Sequence, residues 1–157
     1  MGKASQIRWD ERQPVARNAR RELPGLVTGY FERGRALLAK DPSPAKLHRL
    51  RLATKRLRYT LELFRAIYGP GLETRLEELR QVQQLLGDIN DSEAARRLLA
   101  KVMKGSPQEN VVAEYLRTRA GAKAQEFRKH WADVFDAPGR ERWWTLYLAT
   151  RAREHRA

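Results

Sequence analysis

Several classes of functional group are missing from this chain of 157 residues. It has no cysteine, which excludes disulfide bonds, catalytic thiolates and cysteine-bound zinc. Its three histidines, His48, His130 and His155, are far apart and show no metal-ligand spacing. No apolar run approaches the roughly 18 residues that a membrane-spanning helix needs. Because the N-terminus also lacks an apolar signal region, we expect a cytoplasmic protein that does not associate with membranes.

Recognisable catalytic motifs are missing as well. The sequence contains no Walker-type glycine-rich loop, and no Ser-His-Asp or Cys-His set can be assembled from it. Asp88 and Asp91 are one helical turn apart and could share a cation, but a helix cap and a solvated acid are simpler interpretations. We therefore predict a binding protein without cofactor or metal, and not an enzyme.

Positive charge is what the chain has in excess. Its 32 Lys and Arg residues against 19 Asp and Glu give a formal net charge of +13 and a pI of about 10.7. Arginine supplies 24 of the 32 cations, and its planar guanidinium group suits bidentate contacts to phosphate. The composition implies an anionic partner such as polyphosphate, nucleic acid or an anionic membrane surface.

The positive charge is concentrated in a window without acids, from Pro42 to Leu61. Within it, residues 46–59 hold six Lys or Arg residues and one histidine. At roughly 100° per residue, an apolar stripe through Leu50 and Leu57 faces the core. A second arc, about 15 Å long, carries four basic side chains: His48, Arg51, Lys55 and Arg58. Like charges one turn apart repel each other, so an anion-binding face is favoured over a merely solvated one.

Two sequence segments carry a resemblance to a known family. The run H-x-x-R-x-x-x-K-R-L-R-Y, from His48 to Tyr59, resembles the signature of the CHAD family, the conserved histidine α-helical domain. The segment L-x-x-L-R-Q-V-Q-Q-L-L-G-D-I-N-D, from Leu76 to Asp91, is similar to that family's Leu-Gly-x-x-x-Asp segment. The resemblance implies an all-α domain that binds inorganic polyphosphate through the four residues of the basic arc.

The number of basic motifs departs from the family pattern. Members commonly contain two helical halves, each with its own basic motif, whereas this chain has one motif. Either the half works alone or two chains together rebuild the arrangement, and we predict a homodimer. Trp143 and Trp144 point about 100° apart on a last helix. Their surplus apolar surface suggests a broad contact, either across the bundle or with a second copy.

Hydrophobic periodicity predicts an all-α fold: an antiparallel four-helix-bundle-like domain with long helices and an additional C-terminal helix. We expect a single domain over residues 1–157, with residues 1–10 as a loose arm. Pro24-Gly25 predicts a kink or break in the first helix. Ser43 and Pro44 should cap and begin the second helix, which then extends to about Tyr68. Residues 72–104 are compatible with one bent helix or two.

Three further positions are candidates for roles near the basic arc. Arg119 and Lys123 flank the apolar stripe of a later helix and could complete the anion groove, although Lys123 can equally extend along the core edge into water. Asp91 either positions an Arg or His of the basic arc or caps a helix. His130 is expected to be structural.

The proposed mode of binding is electrostatic. A linear polyanion would lie along the second helix, with charge-assisted contacts from Arg51 and Arg58, a point charge from Lys55 and a hydrogen bond from His48. Since phosphate favours the charged imidazole, affinity should fall as the pH rises through the titration of His48. The role would be granule targeting or scaffolding.

Two alternatives to this function remain. The first is non-specific nucleic-acid binding, which the net charge allows, although only Tyr59 offers an aromatic ring near the basic arc for base stacking. The second is a role accessory to the hydrolysis of phosphate esters or triphosphates.

Overall fold

A computed structural model describes residues 7–154, and over that range the secondary structure is helical, without a strand. A π-helical turn, Trp131–Phe135, continues α5. The predicted all-α class, with four long helices and an additional C-terminal helix, is confirmed. The helices are α1 (Val15–Leu38), α2 (Pro44–Glu62), α3 (Arg65–Tyr68), α4 (Gly71–Val102), α5 (Glu109–His130) and α6 (Arg140–Thr150).

Neighbouring helices run antiparallel. The pairing of α1 with α6 is fixed at one end by Arg20, which donates to the carbonyl of Ala152, and at the other by the 2.7 Å ion pair of Arg35 with Glu141. α1 and α6 therefore run in opposite directions. α2 packs between α1 and α4, and α4 packs in turn on α5.

The core is built from the inward stripes of these helices. Inside it, the Tyr30 hydroxyl and the Thr54 hydroxyl lie 2.6 Å apart, which joins α1 to α2 without leaving a buried polar group unpaired. Phe31 stacks on Phe135, with ring centroids 4.9 Å apart, so the end of α5 closes over α1. The largest fully buried side chains include Phe31, Leu50, Leu61, Leu76, Leu79, Phe127, Phe135 and Trp144.

The start of α2 follows the sequence prediction, whereas its end does not. Ser43 accepts a hydrogen bond from the backbone N–H of Lys46 at 3.3 Å, and Pro44 occupies the first turn. The helix stops at Glu62, and a separate single turn, α3, carries the chain to Gly69. α2 is therefore shorter than predicted, and the basic arc occupies most of its length.

Of the kink or break expected in α1, the break does not occur. The helix is continuous through Pro24 and Gly25. Leu23 and Val27, which flank the proline, are both fully buried, so core packing holds the helix across the missing backbone donor.

The region for which one or two helices were expected is a single helix, α4, which passes through Gly87 and Asp91 without a break and ends at Val102. Asp91 therefore does not cap a helix.

Both ends of the chain lie partly outside the described residues. Of the expected loose arm over residues 1–10, residues 1–6 are not described. Residues 7–10 lie on the bundle: the N–H of Asp10 donates to Asn18 Oδ1 at 3.0 Å, and the Trp9 ring lies 6.1 Å from that of Phe64. His155 also falls outside the described range.

The two adjacent tryptophans are accommodated within one chain. Trp144 is fully buried, and Trp143 is half-buried beneath the guanidinium group of Arg75, 3.5 Å from the ring centroid. The same group lies 3.8 Å from the Tyr147 ring, and burial lowers the pKa of Arg75 to about 10. The apolar surplus of α6 thus contacts α1 and α4, as the intrachain alternative predicted.

The distal parts of α4 and α5 form a hairpin beyond the core. No residue from 90 to 126 is buried. Its large exposed apolar side chains are Leu98, Val102, Val111 and Tyr115. None of the helices within residues 7–154 combines the length and the apolar character needed to cross a membrane.

Candidate anion-binding site

The basic arc of α2 lies beside a row of uncharged residues on α4. α2 places His48, Arg51 and Arg58 against a stripe of α4 that contains Gln83, Gly87 and Asn90. These α4 positions are spaced four and three residues apart, so they share one helical face. The antiparallel packing brings Asn90 to the N-terminal end of the arc and Gln83 to its C-terminal end.

His48 is oriented by an amide. Its Nδ1 atom lies 3.1 Å from Oδ1 of Asn90, and its side chain is otherwise exposed. No acid lies within ion-pair distance of His48 among the described residues. The contact therefore orients the ring without pairing it with a carboxylate.

Arg51 is the least satisfied member of the arc. Its side chain is half-buried, and its Nε atom is buried without a hydrogen-bond partner among the described residues. The nearest approach from α4 is at Gly87, where an added Cβ would lie 3.9 Å from Arg51 Nε. Gly87 brings no side chain against the guanidinium group, and no described carboxylate pairs with Arg51.

The last two members of the arc differ in availability. Lys55 is half-buried and forms neither a hydrogen bond nor an ion pair with a residue in the range 7–154. Arg58 donates to Gln83 Oε1 at 2.9 Å and to Glu62 Oε1 at 2.5 Å, and its guanidinium group lies 4.4 Å from the Tyr59 ring centroid. Arg58 thus already has three partners, whereas the ammonium group of Lys55 is available to an anion.

Glu62 is the acid that ends the site. Its Oε1 atom also lies 3.7 Å from Arg80 and 3.9 Å from Arg65, so one carboxylate serves three guanidinium groups. Between His48 and Lys55 the residues described on α2 and α4 bring no carboxylate into contact with the arc. Within residues 7–154 there is also no group of three or more His, Asp or Glu side chains arranged to hold a metal ion.

Comparison with protein-family models shows to which family the region that contains this site belongs. The CHAD domain matches residues 3–100, which is more than half of the chain and includes both sequence motifs. The chain belongs to the CHAD family. No curated protein and no solved structure matches it.

The CHAD match ends within α4, so Arg119 and Lys123 lie outside it. Arg119 is exposed on α5, and Lys123 Nζ lies 3.5 Å from Glu126 Oε2 on the same helix. α5 packs on α4, and no described contact connects either residue with the basic arc of α2. Their participation in the candidate anion-binding site stays a prediction.

The residues of α4 that line the candidate anion-binding site were not identified from sequence. Asp91, which the sequence suggested as a partner of the arc, is exposed and contacts no basic residue of α2. The partner of His48 is the preceding residue, Asn90. The repeat of uncharged polar residues along one face of α4 was the available signal, since Gln83 and Asn90 are seven residues apart.

Proposed function

We propose that this CHAD domain binds inorganic polyphosphate along the basic face of α2. The observation that carries the proposal is the contrast between the two sides of the site. α2 presents four basic side chains, and the facing stripe of α4 presents an amide, a glycine and a second amide. Three of the four basic side chains accordingly have no carboxylate partner among the described residues.

An arc of this kind suits a linear polyanion. Successive basic residues along about 15 Å of helix repel one another, and a chain of phosphates would offset that repulsion at every turn. Arg51 and Lys55 form no hydrogen bond or ion pair through their side chains with a residue in the range 7–154. Hydrogen bonds between such cations and phosphate oxygens are about twice as strong as those between neutral groups.

We further propose that the domain binds the polymer without hydrolysing it. The only carboxylate in contact with the arc among the described residues, that of Glu62, is shared by three arginines. A site of this composition favours a targeting or scaffolding role at polyphosphate granules.

The decisive experiment is competition binding. Labelled long-chain polyphosphate is titrated with the wild-type protein and with Arg51→Ala/Lys55→Ala/Arg58→Ala, with duplex and single-stranded DNA as competitors. Salt is held at about 150 mM, where charges more than about 8 Å apart are screened. We expect the triple variant to lose most of its affinity and DNA to compete poorly.

The chain offers a matched control at Arg97, Lys101 and Lys104. These residues have the same spacing as Arg51, Lys55 and Arg58 and the same total charge, and they lie exposed at the C-terminal end of α4 and just beyond it. Replacing all three with alanine should change affinity little. Equal losses in the two triple variants, together with full competition by DNA, would identify a general basic surface and favour non-specific nucleic-acid binding.

A further inference from the structure

The contact between His48 and Asn90 has a chemical consequence for the imidazole. A side-chain amide oxygen accepts hydrogen bonds and donates none, so the contact of Asn90 Oδ1 with His48 Nδ1 places a proton on Nδ1. In the neutral ring, Nε2 then carries a lone pair instead of a proton. The exposed edge of neutral His48 is therefore an acceptor.

We propose that Asn90 is a positioning residue that makes anion binding by His48 depend on protonation. This inference rests on the proposed function of the α2 face. Phosphate oxygens are acceptors as well, so the lone pair of Nε2 on neutral His48 repels them. Protonation adds the Nε2 hydrogen, and His48 then donates to phosphate while Nδ1 keeps its bond to Asn90. His48 thereby acts as a switchable fourth residue beside the three permanently charged residues of the site, Arg51, Lys55 and Arg58.

The charged groups around the contact reinforce this dependence. From α2, Arg51 lies one turn away and is joined by Lys46 and Arg49. From α4, Asp88 accepts a hydrogen bond from Gln84 at 3.0 Å, and Asp91 is exposed. α1 contacts α2 through Tyr30 and Thr54 and brings no ionisable group within hydrogen-bond distance of His48. No described carboxylate therefore forms an ion pair with the imidazole, and the neutral amide sets its tautomer.

The first test is made without ligand. Nitrogen NMR shifts of the imidazole ring, assigned with a His48→Gln variant, report the tautomer at about pH 8, where an ordinary histidine is neutral. We expect a proton on Nδ1 in the wild-type protein and a shift of the population towards Nε2–H in Asn90→Ala. A proton on Nε2 in the wild-type protein would overturn the inference, because it would mean that the Asn90 amide is turned around.

The second test uses polyphosphate affinity between about pH 5.5 and 8. The wild-type protein should lose on the order of five- to tenfold affinity across this range beyond the loss seen in His48→Gln, which measures the contribution of all other groups. Asn90→Ala should match the wild-type protein at low pH and bind more tightly than it at pH 8, because its neutral imidazole can place the proton on Nε2.

A residue that only holds the ring in place would give a different result. Asn90→Ala would then bind less tightly at every pH, with an unchanged pH dependence, and the inference would be wrong. The proposed function would be contradicted by a different result, namely that Arg51→Ala/Lys55→Ala/Arg58→Ala keeps its affinity for polyphosphate. The tautomer measurement stands in either case, since it needs no polyphosphate.

Discussion

Arg58 and Glu62 form an ion pair of 2.5 Å at the C-terminal end of the basic face of α2. Under the proposed function, this pair marks the C-terminal end of the polyphosphate-binding face. The same carboxylate oxygen contacts Arg65 and Arg80 at longer distances, so it lowers the positive potential of a whole cluster of arginines. The cations towards the N-terminus of α2 have no such partner among the described residues.

Glu62→Gln should extend the binding face by releasing Arg58. Surface ion pairs contribute about 0.2–1 kcal/mol, and this partly buried pair should lie at the upper end of that range, so we expect a gain in polyphosphate affinity of about fivefold at physiological salt. Glu77→Gln is the matched control, since it removes one charge from an exposed residue that pairs with Arg80 at 3.2 Å. Equal gains in both variants, measured by fluorescence titration, would attribute the effect to net charge and not to the end of the track.

The close approach of α4 to Arg51 at Gly87 gives a second prediction. A Cβ at Gly87 would lie 3.9 Å from Arg51 Nε, which is ordinary van der Waals contact. Gly87→Ala should therefore stabilise the helix by about 0.5–1 kcal/mol and leave affinity unchanged. Gly87→Asp should lower affinity about fivefold or more, because it introduces a carboxylate beside an unsatisfied guanidinium group.

Thermal unfolding and polyphosphate titration of both variants check this prediction. A loss of affinity in Gly87→Ala as large as that in Gly87→Asp would show that space at this position matters, and not charge. Such a result would contradict the claim that the uncharged stripe of α4 favours anion binding through electrostatics.

The α2 half of the candidate site was predictable because helical periodicity is local. The spacing of His48, Arg51, Lys55 and Arg58 places them on one face wherever α2 lies in the fold. The α4 half depends on the register between two helices, and that register depends on where α2 ends and how α3 turns. The sequence suggested Asp91 as the partner of the arc, but the contact is made by its neighbour Asn90. An error of one residue in the assumed register is enough to choose the wrong side chain.

The remaining differences have the same origin in tertiary packing. Pro24 predicts a kink or a break by a local rule, and the break does not occur because the buried side chains of Leu23 and Val27 hold the helix together. Trp143 looked like surplus apolar surface because nothing in the sequence of α4 marks Arg75 as a buried residue. Its guanidinium group covers the indole at 3.5 Å.

The predicted homodimer gives a third measurement. The chain has a single basic motif, and the α4–α5 hairpin leaves apolar residues such as Leu98 and Tyr115 exposed. Light scattering at micromolar concentration, with and without polyphosphate, should give twice the chain mass of 18.2 kDa. The mass of one chain under both conditions would contradict the prediction and favour a half-domain that works alone.

His130 gives a prediction for stability as a function of pH. The residue is half-buried at the end of α5, and this burial lowers its pKa below the ordinary value. The unfolded chain therefore binds the proton more readily, so the stability associated with neutral His130 is present above about pH 6.5 and is lost as the pH falls through the folded pKa. Urea midpoints should fall less between pH 7.5 and 5 in His130→Gln than in the wild-type protein. Parallel falls would show that other groups cause the acid sensitivity.

Gly34 and Gly29 provide a matched pair within α1. A Cβ at Gly34 would overlap the six-membered ring of Trp131, whereas a Cβ at Gly29 would meet no atom within 4 Å. Gly34→Ala should destabilise the protein by about 1–3 kcal/mol, because the indole has to move within a packed core. Gly29→Ala should stabilise it by about 0.5–1 kcal/mol through helix propensity alone.

Denaturant titration of these two variants tests how closely the end of α5 packs on α1. Because both substitutions are identical and lie in one helix, their difference isolates the contact with Trp131 from the propensity of alanine. If Gly34→Ala were also stabilising, the π-helical turn that begins at Trp131 would not lie against Gly34 in solution. Trp131 would then have to leave its contacts with Tyr30 and Phe31, and the core would close differently at this end.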